Sequence, residues 1–214
     1  LDHLSKTARM SLDELGADIG FPLVPPFLLV TFHPETLAAQ SPDVQAEALT
    51  DALGEFVGEV AILFTGVNAD PGHRSVAERI EAFVKNNPGR ATAVQSLGQQ
   101  RYLSAMHLCA AVVGNSSSGL IEAPALGRPT VNVGDRQQGR LRSASVIDCA
   151  ANADAIVGAI RQALSPAFQK IAAEAEPPLG RGGASDKIAA VIASHPLESL
   201  TKKSFHDIEF PWPT

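Results

Sequence analysis

Three consecutive serines, Ser116, Ser117 and Ser118, sit between the glycines Gly114 and Gly119, directly after an apolar run at residues 110–113. They offer three hydroxyl donors, and a helix beginning there leaves backbone N–H groups unpaired. Together these groups can ring a diphosphate, with the helix dipole adding partial positive charge. The two glycines let the backbone approach a ligand closely. An ordinary N-cap is the competing reading, although one serine suffices for that.

Further candidates surround the turn. Glu122 falls about one helical turn past the serines, on the same side. Its carboxylate can accept both hydroxyls of a ribose, or merely complement the helix dipole. His33 follows an apolar run at residues 27–32, and Pro34 forces it into an extended conformation where a strand ends. Arg136 and Arg140, four apart in a glycine-flanked segment, can present guanidinium forks to phosphate or carboxylate. Tyr102, the one tyrosine, can stack on a base or pack in a core. Asp70, His73 and Arg74 follow another apolar run and are candidates for the same edge. Metal spacings such as His-x-x-x-His or Cys-x-x-Cys are absent, as are a Gly-x-Ser-x-Gly elbow and a Walker loop. No metal and no cofactor are expected.

The elements that must position these groups alternate along the chain. Apolar runs at 27–32, 60–65, 92–95, 110–113, 130–133 and 145–148 read as strands. Helical patterns read over 72–86, 99–107 and 117–126, and from Asn152 to residue 164. Ser41-Pro42 opens a further helix, with Val44, Ala48, Ala52, Leu53, Phe56 and Val57 on one face. Ser185 is the expected cap of a last helix over 186–194. This alternation predicts an α/β fold, a doubly wound Rossmann-like parallel sheet with right-handed crossovers. Ligands of such sheets bind at the carboxyl ends of the strands, where His33 and the serines fall.

Composition narrows the function classes. The 214 residues are 45% hydrophobic and 19% charged, ordinary for a globular chain. A net charge of −6 argues against nucleic acid as a partner. Between Arg128 and Arg142, however, four arginines face one acid, Asp135, which favours a small anionic ligand. Two cysteines, Cys109 and Cys149, lie beside apolar runs and read as buried free thiols of a cytoplasmic protein. No apolar run has the length of a membrane span, and the start carries no signal-peptide pattern. The missing initiator methionine points to a fragment.

With these residues in view, the chain resembles the C-terminal half of the hydrolysing UDP-N-acetylglucosamine 2-epimerases. Residues 28–36 (LLVTFHPET), 114–140 (GNSSSGLIEAPALGRPTVNVGDRQQGR) and 145–149 (SVIDC) carry the resemblance, with weaker echoes at LDHL, LGRGGASDKI and KKSFHDI. The non-hydrolysing relatives have an Asp-Ser-Gly-Gly turn and a Thr-Glu-Arg-Pro-Glu loop, and this sequence has neither. The resemblance implies one half of a two-domain, glycosyltransferase-B-like fold. Residues 1–26 would be a linker from a missing first domain, 27–195 the UDP-binding domain, and 196–214 a tail docking on the missing domain.

It also implies that Ser116, Ser117, Ser118 and Gly119 hold the diphosphate of UDP and that Glu122 binds the ribose. His33 would contact phosphate or leaving group as the catalytic residue, Tyr102 would lie at the uracil, and Arg136 and Arg140 near the sugar-phosphate or domain interface. The implied reaction eliminates UDP from UDP-N-acetylglucosamine to give a 2-acetamidoglucal. Water then adds to give N-acetylmannosamine, for sialic acid or a related nonulosonate. The acids handling the C2 proton would belong to the missing N-terminal domain, leaving this chain alone inactive, and the full-length protein is expected to be a homo-oligomer. Two other readings stay open: the donor-binding half of a nucleotide-sugar glycosyltransferase, and a non-catalytic nucleotide-sugar-binding domain.

Overall fold

The structure is a computed structural model that describes residues 1–35, 40–196 and 205–207. Its centre is one sheet of six parallel strands: β1 (Phe27–Thr31), β2 (Ala61–Thr65), β3 (Ala91–Val94), β4 (Ala111–Gly114), β5 (Thr130–Val133) and β6 (Val146–Cys149). Their order across the sheet is β3-β2-β1-β4-β5-β6, the doubly wound arrangement expected from the alternation. The first strand lies in the middle, its Leu29 in register with Leu63 of β2 and Val112 of β4.

Every residue of β1 is buried, because helices cover both faces of the sheet. Side chains alternate between two cores. Leu28, Val30 and Phe32 join one with α3 (Pro42–Gly54), α4 (His73–Asn86) and α7 (Ala153–Leu164); Phe27 and Leu29 join the other with α2 (Leu12–Ile19) and α5 (Gly98–Leu108). Strands and helices fall close to the bounds expected from periodicity. Ser41 and Asn152 cap α3 and α7 as anticipated, each accepting from the N–H three residues on.

Three departures have physical causes. The buried face of α3 is rotated: Val44 is exposed, whereas Gln45 and Leu49 are buried, since packing on both α4 and α7 selects the face. The segment expected as a linker contains α1 (His3–Lys6) and α2, the latter opened by a reciprocal Ser11–Glu14 capping box. Its Leu15 is fully buried in the second core. A further helix, α8 (Pro166–Glu174), starts at Ser165-Pro166 with the same serine-then-proline signal as α3.

The chain divides into two compact units, Leu1–Gly182 and Gly183–Thr214. The first holds the whole sheet and also α6 (Ser118–Ala125), which opens at the serines. In the second unit α9 (Ala184–Ser194) begins after Gly183, which adopts φ 85°. Ser185 therefore lies inside the helix and is not its cap. Ile208, Phe210 and Trp212 of the expected docking tail lie outside the described residues.

Candidate functional site

The chain leaves β1 towards β2 on one side, while β4 starts the other half of the sheet, so the loops after β1 and β4 part and leave a crevice. Thr31 at the end of β1 is in register with Gly114 at the end of β4. The two backbones approach so closely that a Cβ on Gly114 would lie 2.0 Å from the Thr31 carbonyl oxygen, and Gly114 has φ 131°. Only glycine fits there. Gly114 thus lets β1 and β4 approach each other; similarly, a Cβ on Gly119 would meet Thr130 Cγ2 at 2.8 Å, so that glycine seats α6 on β5.

Asn115 follows and is fully buried. Its Oδ1 accepts from the His33 N–H and its Nδ2 donates to the His33 carbonyl, both at 2.8 Å. Its own carbonyl accepts from Arg136 Nη1 at 3.1 Å and Gln137 Nε2 at 2.7 Å. One asparagine therefore ties the loops after β1, β4 and β5 together.

The serines divide in role. Ser116 Oγ lies 2.9 Å from Ser118 Oγ, which lies 2.5 Å from the Tyr102 hydroxyl. Ser117 occupies the cap position of α6 without making a side-chain cap bond. The bond of that kind comes one residue earlier, where Ser116 Oγ accepts from the Ser118 N–H at 3.4 Å, and the Ser117 hydroxyl has no partner among the described residues.

His33 is half-buried, and its Nδ1 accepts from the Asn68 N–H at 3.2 Å. That bond fixes the neutral tautomer with hydrogen on Nε2, a donor. Burial, then the Arg136 charge, lowers its pKa, while Asp70 opposes. The ring is accordingly neutral at pH 7. His33, Tyr102, Ser116 and Ser118 line one open groove of about 330 Å³, completed by Thr65 and Gln95.

Tyr102 also packs against the second core, and burial foremost pushes its phenol pKa up, assisted by the Glu122 charge. Glu122, one turn into α6, lies 3.7 Å from His3 Nε2. The arginines that sequence pools into one basic loop are separated in space. Arg136 reaches the Asn115 carbonyl, and Arg142 pairs with Asp148 at 3.0 Å. Arg140 is exposed without a side-chain bond to the site, and Arg128 precedes β5, at the opposite sheet edge. Of the other candidates, Asp70 accepts from Asn68 Nδ2, and His73 opens α4.

Four residues that shape the site, Asn115, Asn68, Gln137 and His3, carry no signal of that role in the sequence. Asn115 stands beside the serines in the motif, but its bonds to a residue 82 positions away have no local signature. Among the described residues no group of three His, Cys, Asp or Glu could hold a metal, and no helix is long and apolar enough to cross a membrane. Cys109 and Cys149 are free, with thiols pushed up to about 12 by burial.

Known proteins share this architecture and parts of the sequence. Residues 2–193 match the family model described as UDP-N-acetylglucosamine 2-epimerase. The polysialic acid biosynthesis protein P7 of Escherichia coli is 35% identical over 184 residues, covering 85% of this chain and 46% of that protein. A hydrolysing GDP/UDP-N,N'-diacetylbacillosamine 2-epimerase of Campylobacter jejuni is 36% identical over 124 residues, 58% of this chain and 32% of its own length. The chain thus spans about half the length, or less, of the curated relatives it matches. Among solved structures, a UDP-N-acetylglucosamine 2-epimerase from Listeria monocytogenes described as putative superposes with TM-score 0.68 at 17% identity, covering 98% of this chain and 54% of that one. The Neisseria meningitidis UDP-GlcNAc 2-epimerase bound to UDP-GlcNAc gives TM-score 0.62 at 14% identity, with 86% and 48% covered. These likenesses carry the fold.

Proposed function

The chain belongs to the UDP-N-acetylglucosamine 2-epimerase family, and from that premise we propose that it is the UDP-binding half of a hydrolysing 2-epimerase. The observation that carries the reading is the serine turn at the β1/β4 crevice, whose Ser117 hydroxyl makes no cap bond, with a neutral histidine donor beside it. In the proposed complex Ser116, Ser117 and Ser118 donate hydroxyl hydrogens to the diphosphate, and His33 Nε2–H donates to a phosphate oxygen. Glu122 accepts from the ribose hydroxyls, which displaces it from His3. Tyr102 borders the uracil, and Arg136 supplies positive charge near the diphosphate. Arg140 is assigned to the interface with the other half.

The chemistry follows from charge development. Breaking the C1–O bond of UDP-N-acetylglucosamine leaves a further negative charge on the diphosphate. Fixed donors aimed at that oxygen stabilise the departing group. A base on the other half removes the C2 proton, giving the glucal and UDP. Water then adds across the double bond, OH to C1 and H to C2 from the opposite face, giving N-acetylmannosamine. A neutral His33 still carries hydrogen on Nε2, so the donor is present without protonation of the ring. The product feeds sialic acid or related nonulosonate synthesis. The activity belongs to a two-domain protein in the cytoplasm, assembled as a homo-oligomer.

The test is to incubate a protein joining this chain to an epimerase N-terminal half with UDP-N-acetylglucosamine and no acceptor sugar. Equal amounts of UDP and N-acetylmannosamine are expected. Release of UDP-N-acetylmannosamine, or turnover only with an acceptor, would overturn the reading.

A further inference from the structure

A second cavity, of about 350 Å³, lies at the opposite edge of the sheet from the serine turn. Its walls include Arg9, His107, Arg128, Gln169 and Arg181. His107 lies in the last turn of α5 before β4, and Gly127-Arg128 lead from α6 into β5, so the cavity sits where these strands begin and not where they end. The volume is at the lower end of the range for small-molecule sites.

Its chemistry is one-sided. Among the described residues no carboxylate pairs with Arg9, Arg128 or Arg181. Two buried polar atoms, His107 Nδ1 and Arg128 Nε, have no hydrogen-bond partner, a costly state for buried polar groups. Gln169 is not available to them as a donor, because its Nε2 already serves the carbonyls of Ala110 and Ala163. The C-terminal ends of α5 and α6 close on the same space with partial negative charge, about half an elementary charge each. Three guanidinium charges outweigh that.

We propose that this cavity is a second anion site, which takes a compact phosphate group, free or as a phosphomonoester. Two oxygens would satisfy Arg128 Nε and the His107 ring, with Arg9 and Arg181 closing from the exposed rim. The site is independent of the serine turn, and a molecule there touches none of the groups assigned to UDP. Burial, then Arg9 and Arg128, now holds His107 below the ordinary histidine range, and a bound dianion reverses that shift.

The experiment follows the His107 imidazole by NMR while the chain is titrated with inorganic phosphate, and separately with ribose 5-phosphate, at constant ionic strength and with excess UDP present. A saturable shift of His107 is expected, with a raised titration midpoint and at least tenfold weaker binding in both Arg128→Gln and the rim variant Arg181→Gln. Arg181 is exposed, so its variant keeps the fold. The tighter of the two ligands identifies the source of the phosphate. A non-saturating drift, a shift unchanged in Arg181→Gln, or one seen only when UDP is left out would overturn the site.

Discussion

Asn115 and His33 form a reciprocal pair: the buried asparagine amide accepts from the histidine N–H and donates to its carbonyl, each at 2.8 Å. The pair copies the pattern that two β-strands use, beyond the point where β1 and β4 have ended. It fixes the histidine backbone relative to the serine turn. Asn115→Ala leaves both His33 groups unpaired, and is expected to lower unfolding stability by about 1–3 kcal/mol. Urea denaturation measures this, and an unchanged midpoint would mean that the pair is not formed in solution.

The ionisation of His33 gives a pH dependence with a definite sign. The folded ring binds its proton less readily than an unfolded one, whose pKa is about 6.5. Its contribution to stability is therefore intact above about pH 6.5 and is lost as pH falls through the depressed folded value. Arg136→Gln removes one cause and should raise the His33 midpoint, whereas Asp70→Asn should lower it further. Imidazole NMR titration reads both directions.

Gly114→Ala should abolish the fold, or destabilise it on the order of 4 kcal/mol or more, because its Cβ would collide with the Thr31 carbonyl. Gly54, at the end of α3, has open space around it, with nothing within 4 Å of an added Cβ. Gly54→Ala should be neutral, or stabilising by up to about 1 kcal/mol. Thermal melts of the two variants make the comparison.

Ser117→Ala tests the turn without touching the scaffold, since that hydroxyl makes no cap bond. It should weaken UDP binding by about 1.5–3 kcal/mol, the range for a hydrogen bond to a charged group, at unchanged melting temperature. Equal affinity would remove Ser117 from the site.

The sheet and most helices are legible in the sequence because hydrophobic period reports local geometry, and β1, buried on both faces, reads as an unbroken apolar run. The α3 face departs from its period at Val44 because packing on two neighbouring helices selects it. Ser165-Pro166 and Ser11-x-x-Glu14 are readable start signals for α8 and α2, which strand–helix alternation alone passes over. The serines and His33 can be nominated from type and position. Asn115, which joins them, cannot, since its partners are brought near only by the sheet order. Nor does sequence separate Arg128 from Arg136, close along the chain yet beyond opposite ends of β5.

Calorimetric titration of this chain with UDP, with AMP as control, decides whether the serine turn is a nucleotide site. Saturable UDP binding, weakened in Ser117→Ala, is expected, with no comparable heat from AMP. Indifference between the two nucleotides, or no binding of UDP, would contradict it.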